Sequence, residues 1–572
     1  MAAERAPSGR APTLSVSRAG LVALLLAVPG VAYAFAPGQT NVGGAANQAG
    51  PFANPFPDAG STNGPAAPGT VPPPDYRYQG TLPLVVGGLP TPGFTVVPQV
   101  TLQEEFTDNV LQTETDRQWD LITLLTPSLT VGANTPRLNL SLEYAPTIEY
   151  YARTSSQNTV AHQLLGVGSL VVVPDTLFVD ARGFATVAPT NGGYVGPGLG
   201  TGAPLTGLAG TAGYLGTGPV VGRQGTTQIF GESVSPYLVH RFGDFASGTI
   251  GASVTHTSTS STAGGGSQQA TTEDVNGQLA SGSVFGRVQD ILAADASRTQ
   301  GTGVLDGARQ ETITDQLGYA LTRQLQVFGV LGYEDIQYSG PTGERISDMV
   351  WRVGGTYAPN ARSQITLSYG HSEGVTDFAA QASYALTART TLTASYSQGI
   401  TTYLQQVAAG LNQAGVNQNG VPINAATGLP LTLTNGALAV QDTVYRTRIL
   451  ALGITTLLDR DTIAFSFDHT EETPVSAAPG GGFAQRANIG TASWTRALSE
   501  RATASALLSY GTTSTAGLTG DSDLFSASAQ FIYRLSPTLT ASGSYLFFER
   551  RSTEPGFSMY ENIALVGLSK RF

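Results

Sequence analysis

The feature that most constrains the fold is a strict alternation of apolar and polar residues over stretches of roughly 10 to 16 residues. Between Arg137 and Tyr151, one parity carries mostly leucine, tyrosine and isoleucine, and the other carries mostly arginine, asparagine, serine and glutamate. A strand places successive side chains on opposite faces, so a period of two predicts a sheet with one apolar and one polar face. The pattern returns near 378–386, 502–510 and 525–534.

Two properties of these segments favour a membrane barrel over a soluble sandwich. The polar parity consists mainly of Ser, Thr, Gln, Asn and Gly, which is typical of a confined wet interior. The segments also exceed the ~5–6 residues usual for soluble strands and reach the ~9–11 needed to cross a bilayer. Only 12% of the 572 residues are charged, which is low for a soluble protein. A formal charge of -11 argues against nucleic-acid binding, and the lack of cysteine excludes thiolate chemistry.

We therefore predict an all-β fold, a closed antiparallel transmembrane β-barrel of about 22 strands, with an accepted range of roughly 20 to 24. Tight connectors such as 174–176 and 359–361 alternate with mostly long ones such as 189–225 and 403–440. Short periplasmic turns and long extracellular loops are typical of outer-membrane barrels. Two segments are the least defined. One holds the strands predicted at 274–286 and 290–299, after a connector at 260–273, because Val288 to Asp295 also fits a short helix. The other is the strand predicted at 441–456, where Arg446 and Arg448 share a face with Leu450 and Leu452.

The chain divides into three predicted parts. Residues 1–34 fit a cleaved signal peptide, with arginines before an apolar run and Ala32-Tyr33-Ala34 as the cleavage site. Residues 35–93 are rich in proline and glycine and predict a disordered periplasmic tail, or alternatively a segment that enters the pore. Residues 94–572 form the predicted barrel. An exported chain without cysteine suits the outer membrane of a Gram-negative bacterium.

Two stretches carry a family resemblance. The first is Val100-Thr101-Leu102-Gln103-Glu104-Glu105-Phe106-Thr107-Asp108-Asn109-Val110, followed by Leu125-Thr126-Pro127-Ser128-Leu129. The second is His162-Gln163-Leu164, leading to Val173-Pro174-Asp175-Thr176-Leu177-Phe178-Val179-Asp180-Ala181. Together they resemble the outer-membrane barrels associated with exopolysaccharide production and PEP-CTERM sorting systems, grouped with the β-barrel porin 2 families. The resemblance covers about residues 95–190. It implies an outer-membrane barrel with a part in exopolysaccharide export, and no catalytic residues.

The C-terminus predicts partners for assembly. The chain ends on Phe572 after an alternating strand, which resembles the signal read by the outer-membrane barrel insertion machinery. Lys570 stands where an aromatic residue is often found. The expected partners are this machinery, outer-membrane lipid and polysaccharide synthesis or export proteins, with no nucleic acid.

The alternation also predicts which side chains face lipid and which face the pore. The outward set is Leu138, Leu140, Leu142, Phe378, Ala380, Phe531 and Tyr533. The pore-lining candidates are Glu143, Glu149, Asp180, Arg182, Arg352, Gln381, Gln530 and Arg534. A wide barrel needs a constriction, which we expect from loop 403–440, loop 189–225 or the tail 35–93.

The functional prediction is a conduit for exopolysaccharide export. A general diffusion porin and a structural or adhesive barrel remain as alternatives. Five histidines are present, and none lies in an HxxxH or HExxH spacing. We therefore predict no catalytic residues, no cofactor, no metal site and no enzymatic activity.

Overall fold

The computed structural model describes residues 93–189, 226–261, 267–339, 343–412, 414–416, 422–424, 438–475, 482–515 and 520–572. The predicted signal peptide, nearly all of the predicted tail and most of loop 189–225 lie outside these residues. The described chain is almost entirely β-structure, as the alternation predicts.

The wall of the fold consists of long strands joined by short turns on one side and longer connectors on the other. The strands are β1 (Gly93–Thr107), β2 (Asp120–Asn134), β3 (Leu138–Tyr144), β4 (Thr147–Tyr151), β5 (Thr159–Ala161), β6 (Leu164–Val173), β7 (Leu177–Pro189), β8 (Thr226–Phe242), β9 (Ala246–Ser261), β10 (Gln268–Ser281), β11 (Val288–Gly301), β12 (Ala308–Ala320), β13 (Leu325–Gln337), β14 (Arg345–Asn360), β15 (Ser363–Ser372), β16 (Val375–Ala385), β17 (Thr390–Thr401), β18 (Ala414–Val416), β19 (Pro422–Asn424), β20 (Tyr445–Leu457), β21 (Asp461–Pro474), β22 (Gln485–Ala497), β23 (Ala502–Thr515), β24 (Gly520–Ser536), β25 (Leu539–Ser552) and β26 (Met559–Arg571).

Helical structure is sparse within the described ranges. One α-helix, α1 (Tyr403–Asn412), follows β17, and single 3-10 turns lie at Ser155–Gln157, Ser283–Phe285 and Gly303–Leu305. Among the residues that the structure describes, no helix is both long and apolar enough to cross a membrane.

The sheet closes on itself. Each wall strand pairs antiparallel with its neighbours in the chain, and β1 pairs with β26 from Gln99 opposite Arg571 to Thr107 opposite Ile563. Closure leaves the described wall without an open edge strand, as hydrocarbon requires. The short strands β3 and β4 occupy one wall position, and β5 and β6 occupy the next. The strands β18 and β19 pair with each other in a separate two-stranded sheet and are not part of the wall. Pro146, which has no amide hydrogen to donate, lies at the first interruption. The barrel therefore has 22 wall strands, which confirms the predicted fold and strand number.

The structure also decides the segment that the sequence left open. Val288 to Asp295 belongs to β11 and is not helical. The neighbouring strand was placed too late in the chain: it was predicted at 274–286, and β10 covers Gln268–Ser281. The connector predicted at 260–273 is correspondingly shorter, because β9 continues to Ser261. Serine, threonine and glutamine at these strand ends conceal the apolar period that marks a strand.

The two faces of the wall differ in chemistry. Every second side chain of β1 from Phe94 to Phe106 is at the outer surface, and Thr101, Gln103 and Glu105 between them are buried on the inner face. The predicted outward residues Phe378 and Phe531 are 45% and 46% exposed, as an apolar belt facing lipid requires. The protein is an outer-membrane β-barrel of a Gram-negative bacterium, with its short turns on the periplasmic side.

Candidate functional site

The loop between β17 and β20, residues 402–444, enters the barrel, and we call it the crossing loop. Its first element is α1, which opens with a capping box. The Thr402 hydroxyl accepts a hydrogen bond from the Gln405 amide at 3.2 Å, and Gln405 Oε1 accepts one from the Thr402 amide at 3.0 Å. This reciprocal pair satisfies amides that a helix otherwise leaves unpaired, so α1 begins at a defined residue.

One side of α1 packs against the inner face of β6, β7 and β8. Val407 and Leu411 are fully buried there, against Leu165, Phe184 and Ile229. At the end of the helix, Asn412 Nδ2 donates to Thr255 Oγ1 on β9 at 3.3 Å.

The part of the wall against which α1 packs has a glycine on β8 at the point of contact. A Cβ atom at Gly231 would lie 2.3 Å from Phe184 Cε1 and 3.2 Å from Leu411 Cδ2. The first contact is with a neighbouring side chain of the wall and the second with the helix, so a larger residue at Gly231 would have to displace Phe184 and press against Leu411.

The same helix is also held by the opposite wall. Gln406 Nε2 donates to Glu472 Oε1 on β21 at 3.0 Å. Counted around the closed sheet, β21 and β8 lie on opposite sides of the barrel. Within its ten residues, α1 therefore contacts both sides of the lumen.

Glu472 also anchors the end of the crossing loop. Its second oxygen, Oε2, accepts a hydrogen bond from Gln485 Nε2 at 2.6 Å, and Gln485 in turn bonds both the amide and the carbonyl of Ala439. Leu438 packs in a buried cluster with Ile489, Leu524 and Phe548 on β22, β24 and β25. The described parts of the crossing loop therefore contact both sides of the lumen.

Carboxylates dominate the charged groups of the inner face. The described inner-face carboxylates are Glu105, Glu143, Glu149, Asp180, Asp274, Asp295, Glu334, Asp377, Asp468, Glu472 and Glu561. The inner-face arginines at the same depth are fewer: Arg182, Arg352 and Arg550. Arg534 and Arg571 lie further down, near the periplasmic end. Carboxyl groups therefore outnumber guanidinium groups on the described inner face.

The eight pore-lining candidates all lie on the inner face, in three kinds of surroundings. Glu149 is buried and accepts a hydrogen bond from the Tyr151 hydroxyl at 2.8 Å. Arg182 pairs with Asp180 at 3.4 Å and donates to the carbonyl of Ala414 in the crossing loop at 3.0 Å. The less covered candidates are Glu143, Gln381, Gln530 and Arg534.

Arg352 departs from its predicted role. Its side chain is only 1% exposed, and it forms an ion pair of 2.8 Å with Asp377. It also donates to the Ser372 hydroxyl at 3.0 Å. A buried, paired guanidinium cannot contact a passing solute, so Arg352 holds the wall together instead of lining the pore.

A buried carboxyl group, Glu373, joins this ion pair to the base of the crossing loop. Glu373 lies in the tight connector between β15 and β16 and accepts a hydrogen bond from the amide of Ile400 near the end of β17. Burial raises the pKa of Glu373 to about 7. The amide of Ile400 and the charge of Arg352 lower this pKa, whereas the charges of Glu334 and Asp377 raise it.

We expect stability to fall with rising pH because of Glu373. Its pKa is raised above the ordinary 4.5, so the folded protein holds this proton more tightly than the unfolded chain. The stabilisation is complete below pH 4.5 and is lost as the pH rises to about 7. Thermal unfolding followed by circular dichroism over this window should show the slope. The variant Glu373→Gln should flatten it, and an unchanged slope in that variant would assign the effect to other groups.

The helix α1 is the functional element that sequence reasoning missed. A signal was present: Thr402-Tyr403-Leu404-Gln405 fits a capping box, and Leu404, Val407 and Leu411 recur at helical spacing. Gln406 and Glu472 had no comparable signal, because their contact depends on closure of the barrel. Within the described ranges, no group of three or more His, Asp or Glu side chains is arranged to hold a metal ion.

Comparison with known proteins identifies the fold but no family. No family model matches the chain, and no curated protein matches either. The resemblance to exopolysaccharide-associated barrels therefore stays a prediction.

Solved outer-membrane import proteins are similar in structure. The open form of Fiu, the ferric-catecholate import receptor of Escherichia coli K12, is 10% identical, with 84% of this chain and 82% of that chain covered and a TM-score of 0.44. The FrpB iron transporter of Neisseria meningitidis is 10% identical, with 83% and 82% covered and a TM-score of 0.47. The ferripyoverdine receptor of Pseudomonas aeruginosa is 12% identical, with 84% and 72% covered and a TM-score of 0.43. At these identities the likeness extends to the fold only.

The functional predictions made from the sequence need correction. The similar structures are described as import receptors and an iron transporter, not as polysaccharide exporters or porins. In this chain itself, α1 of the crossing loop lies in the lumen, where loop 403–440 was expected to form the constriction. The predicted export conduit and the general porin are therefore wrong, and the adhesive alternative gains no support. The polysaccharide partners inferred from export lose their basis as well.

Proposed function

We propose that this protein is a gated, ligand-selective uptake channel of the outer membrane, with the crossing loop as its gate. The observation that carries the proposal is the pair of contacts that fix α1 to opposite walls, Gln406 with Glu472 and Asn412 with Thr255. A loop held at both sides must release at least one of them before a solute can pass. Each of these two contacts is a single hydrogen bond between side chains, worth about 1 kcal/mol net, and release of α1 from β6, β7 and β8 would also expose Val407 and Leu411.

The charge of the lumen favours a positively charged ligand. Carboxylates outnumber arginines on the extracellular side of the inner face, and a confined lumen of low dielectric strengthens their field. Such a field concentrates cations at the entrance and repels anions. The ligand class we propose is therefore a cationic organic solute or a cationic complex.

A reversible crosslink tests the gate. The natural chain has no cysteine, so Thr255→Cys and Asn412→Cys introduce a single pair of thiols at a contact of 3.3 Å between the wild-type side chains. In proteoliposomes we expect the oxidised pair, joined directly or by a short dithiol crosslinker, to slow uptake of labelled arginine. Reduction should restore it. The single variant Thr255→Cys serves as the control, and its uptake of arginine should be the same under oxidising and reducing conditions.

Two results of this experiment distinguish the proposed gate from the proposed selectivity for cations. Equal uptake in the oxidised and reduced states would show that release of the contact between Asn412 and Thr255 is not required. Uptake of glutamate as fast as arginine would remove the cationic ligand class and leave the gate standing.

Neutralising two carboxylates of the lumen gives a further prediction. We expect Glu143→Gln combined with Glu149→Gln to lower cation selectivity, because two inner-face carboxylates are lost. The reversal potential across a potassium chloride gradient in planar bilayers measures this. Glu549→Gln is the matched control, since Glu549 lies on the outer face, where it pairs with Arg551 at 2.8 Å. A shift of equal size in the control would show that the lumen carboxylates do not set selectivity.

A further inference from the structure

Three arginines cluster on the outer face of the barrel at the extracellular ends of β20 and β22. Arg446 and Arg448 share the outward parity of β20 with Leu450 and Leu452, the last of which is 40% exposed. Arg486 occupies the outward parity of β22. The side chains of Arg448 and Arg486 are 47% and 55% exposed. All three therefore lie above the apolar belt and outside the lumen.

The charges of this cluster do not balance. Arg448 and Arg486 stand opposite the same residue, Glu471 of β21, and contact its two oxygens at 3.4 and 3.3 Å. Arg446 makes no ion pair within the described ranges, and its Nε atom is buried without a hydrogen-bond partner. The next outward carboxylate is Asp521, two strands beyond Arg486. One carboxylate thus serves three guanidinium groups.

Two other outward arginines at the same end of the barrel have a carboxylate each. Arg345 forms two hydrogen bonds with Asp335, at 3.2 and 2.8 Å, and Arg551 pairs with Glu549 at 2.8 Å. The β20–β22 sector differs from these two positions, because one carboxylate there serves three guanidinium groups.

The surroundings of the cluster indicate what would neutralise it. Phe465 and Phe467 of β21 are exposed on the outer face directly below Glu471, in the zone where acyl chains lie. A guanidinium group recognises phosphate through paired hydrogen bonds, and strands two apart place Arg448 and Arg486 about 10 Å from each other. We propose that Arg446, Arg448 and Arg486 bind the phosphate groups of a phosphorylated glycolipid of the lipid A class in the outer leaflet. Its acyl chains would cover Phe465, Phe467 and Leu452.

Binding of defined lipids tests the proposal. The full-length barrel, reconstituted in nanodiscs of neutral phospholipid, is titrated with bisphosphorylated lipid A or with lipid A stripped of its phosphates. Bound lipid is counted by native mass spectrometry. We expect the wild type to prefer the phosphorylated form, and we expect Arg448→Gln with Arg486→Gln to weaken its binding by about tenfold or more, since each lost charge-assisted contact is worth about 1.5 kcal/mol or more.

Controls keep the test interpretable. Arg345→Gln removes an outward arginine that has its own carboxylate and should leave lipid binding unchanged. Arg448→Lys with Arg486→Lys keeps the charge and should retain part of the affinity. The β-sheet circular dichroism signal verifies that each variant has folded. Three results would each overturn the proposal that a phosphorylated glycolipid binds at this sector. They are equal binding of the dephosphorylated lipid, an equal loss of lipid binding in Arg345→Gln, and displacement of the lipid by free inorganic phosphate.

Discussion

Replacing the crossing loop by a two-residue turn is expected to raise single-channel conductance severalfold. Thr401 and Tyr445 are paired opposite each other in the β17–β20 ladder, so an Asn-Gly turn can join them without disturbing the wall. The replacement removes α1 and the segment that packs on β22 to β25, which together cross the lumen. Planar bilayer recordings of the wild type and the variant measure the difference.

The control for this experiment is a loop variant that keeps the contacts of α1. Residues 425–437 lie outside the described ranges, and shortening this stretch leaves α1 and Leu438 in the chain. We expect the shortened form to conduct like the wild type. If the full replacement also conducts like the wild type, the constriction lies elsewhere, with loop 189–225 and the tail 35–93 as the next deletions.

Removing the positive charge from the buried ion pair is expected to cause the largest loss of stability. Arg352→Met leaves Asp377 buried without its cation, next to Glu373. Breaking a buried pair in this way costs about 3 to 5 kcal/mol in free energy of unfolding. Urea unfolding of the barrel in lipid vesicles measures the change.

A surface ion pair provides the comparison. Arg389 and Asp459 form a pair of 2.9 Å between two periplasmic turns, with side chains 58% and 84% exposed. We expect Arg389→Met to cost under about 1 kcal/mol, because water screens the pair. The double variant Arg352→Met with Asp377→Leu should recover part of the loss, since it leaves no unpaired charge. Equal costs for Arg352→Met and Arg389→Met would contradict the buried pair.

The strands and their faces could be predicted from the sequence because both depend on local properties. Leucine at 138, 140 and 142, with the charged Glu143 on the opposite parity, is enough to assign a strand, its outer face and its inner face. The predicted strand bounds are less accurate where polar residues conceal this period of two. Serine, threonine and glutamine around 267–281 placed one strand about six residues late.

The candidate site could be predicted only in part. The alternation placed Glu149 and Asp180 on the inner face, but it could not show that Arg352 would meet Asp377, 25 residues away, and so be withdrawn from the lumen. The capping box at 402 predicts a helix, but the local sequence does not indicate whether that helix faces solvent or lies inside the barrel.

The sequence by itself predicted an outer-membrane barrel, a strand number of about 22 and the two faces of the wall, because a period of two along the chain and the need to satisfy the backbone in lipid favour a closed sheet. Only the tertiary structure decided whether the lumen is open. Closure brings β8 and β21 to opposite sides of one space, and that space is bridged by Gln406 with Glu472 and by Asn412 with Thr255. Contacts between residues 66 and 157 positions apart depend on the closed wall. For this reason, the sequence predicted that a loop would narrow the barrel, and only the closed structure showed which contacts hold that loop in the lumen.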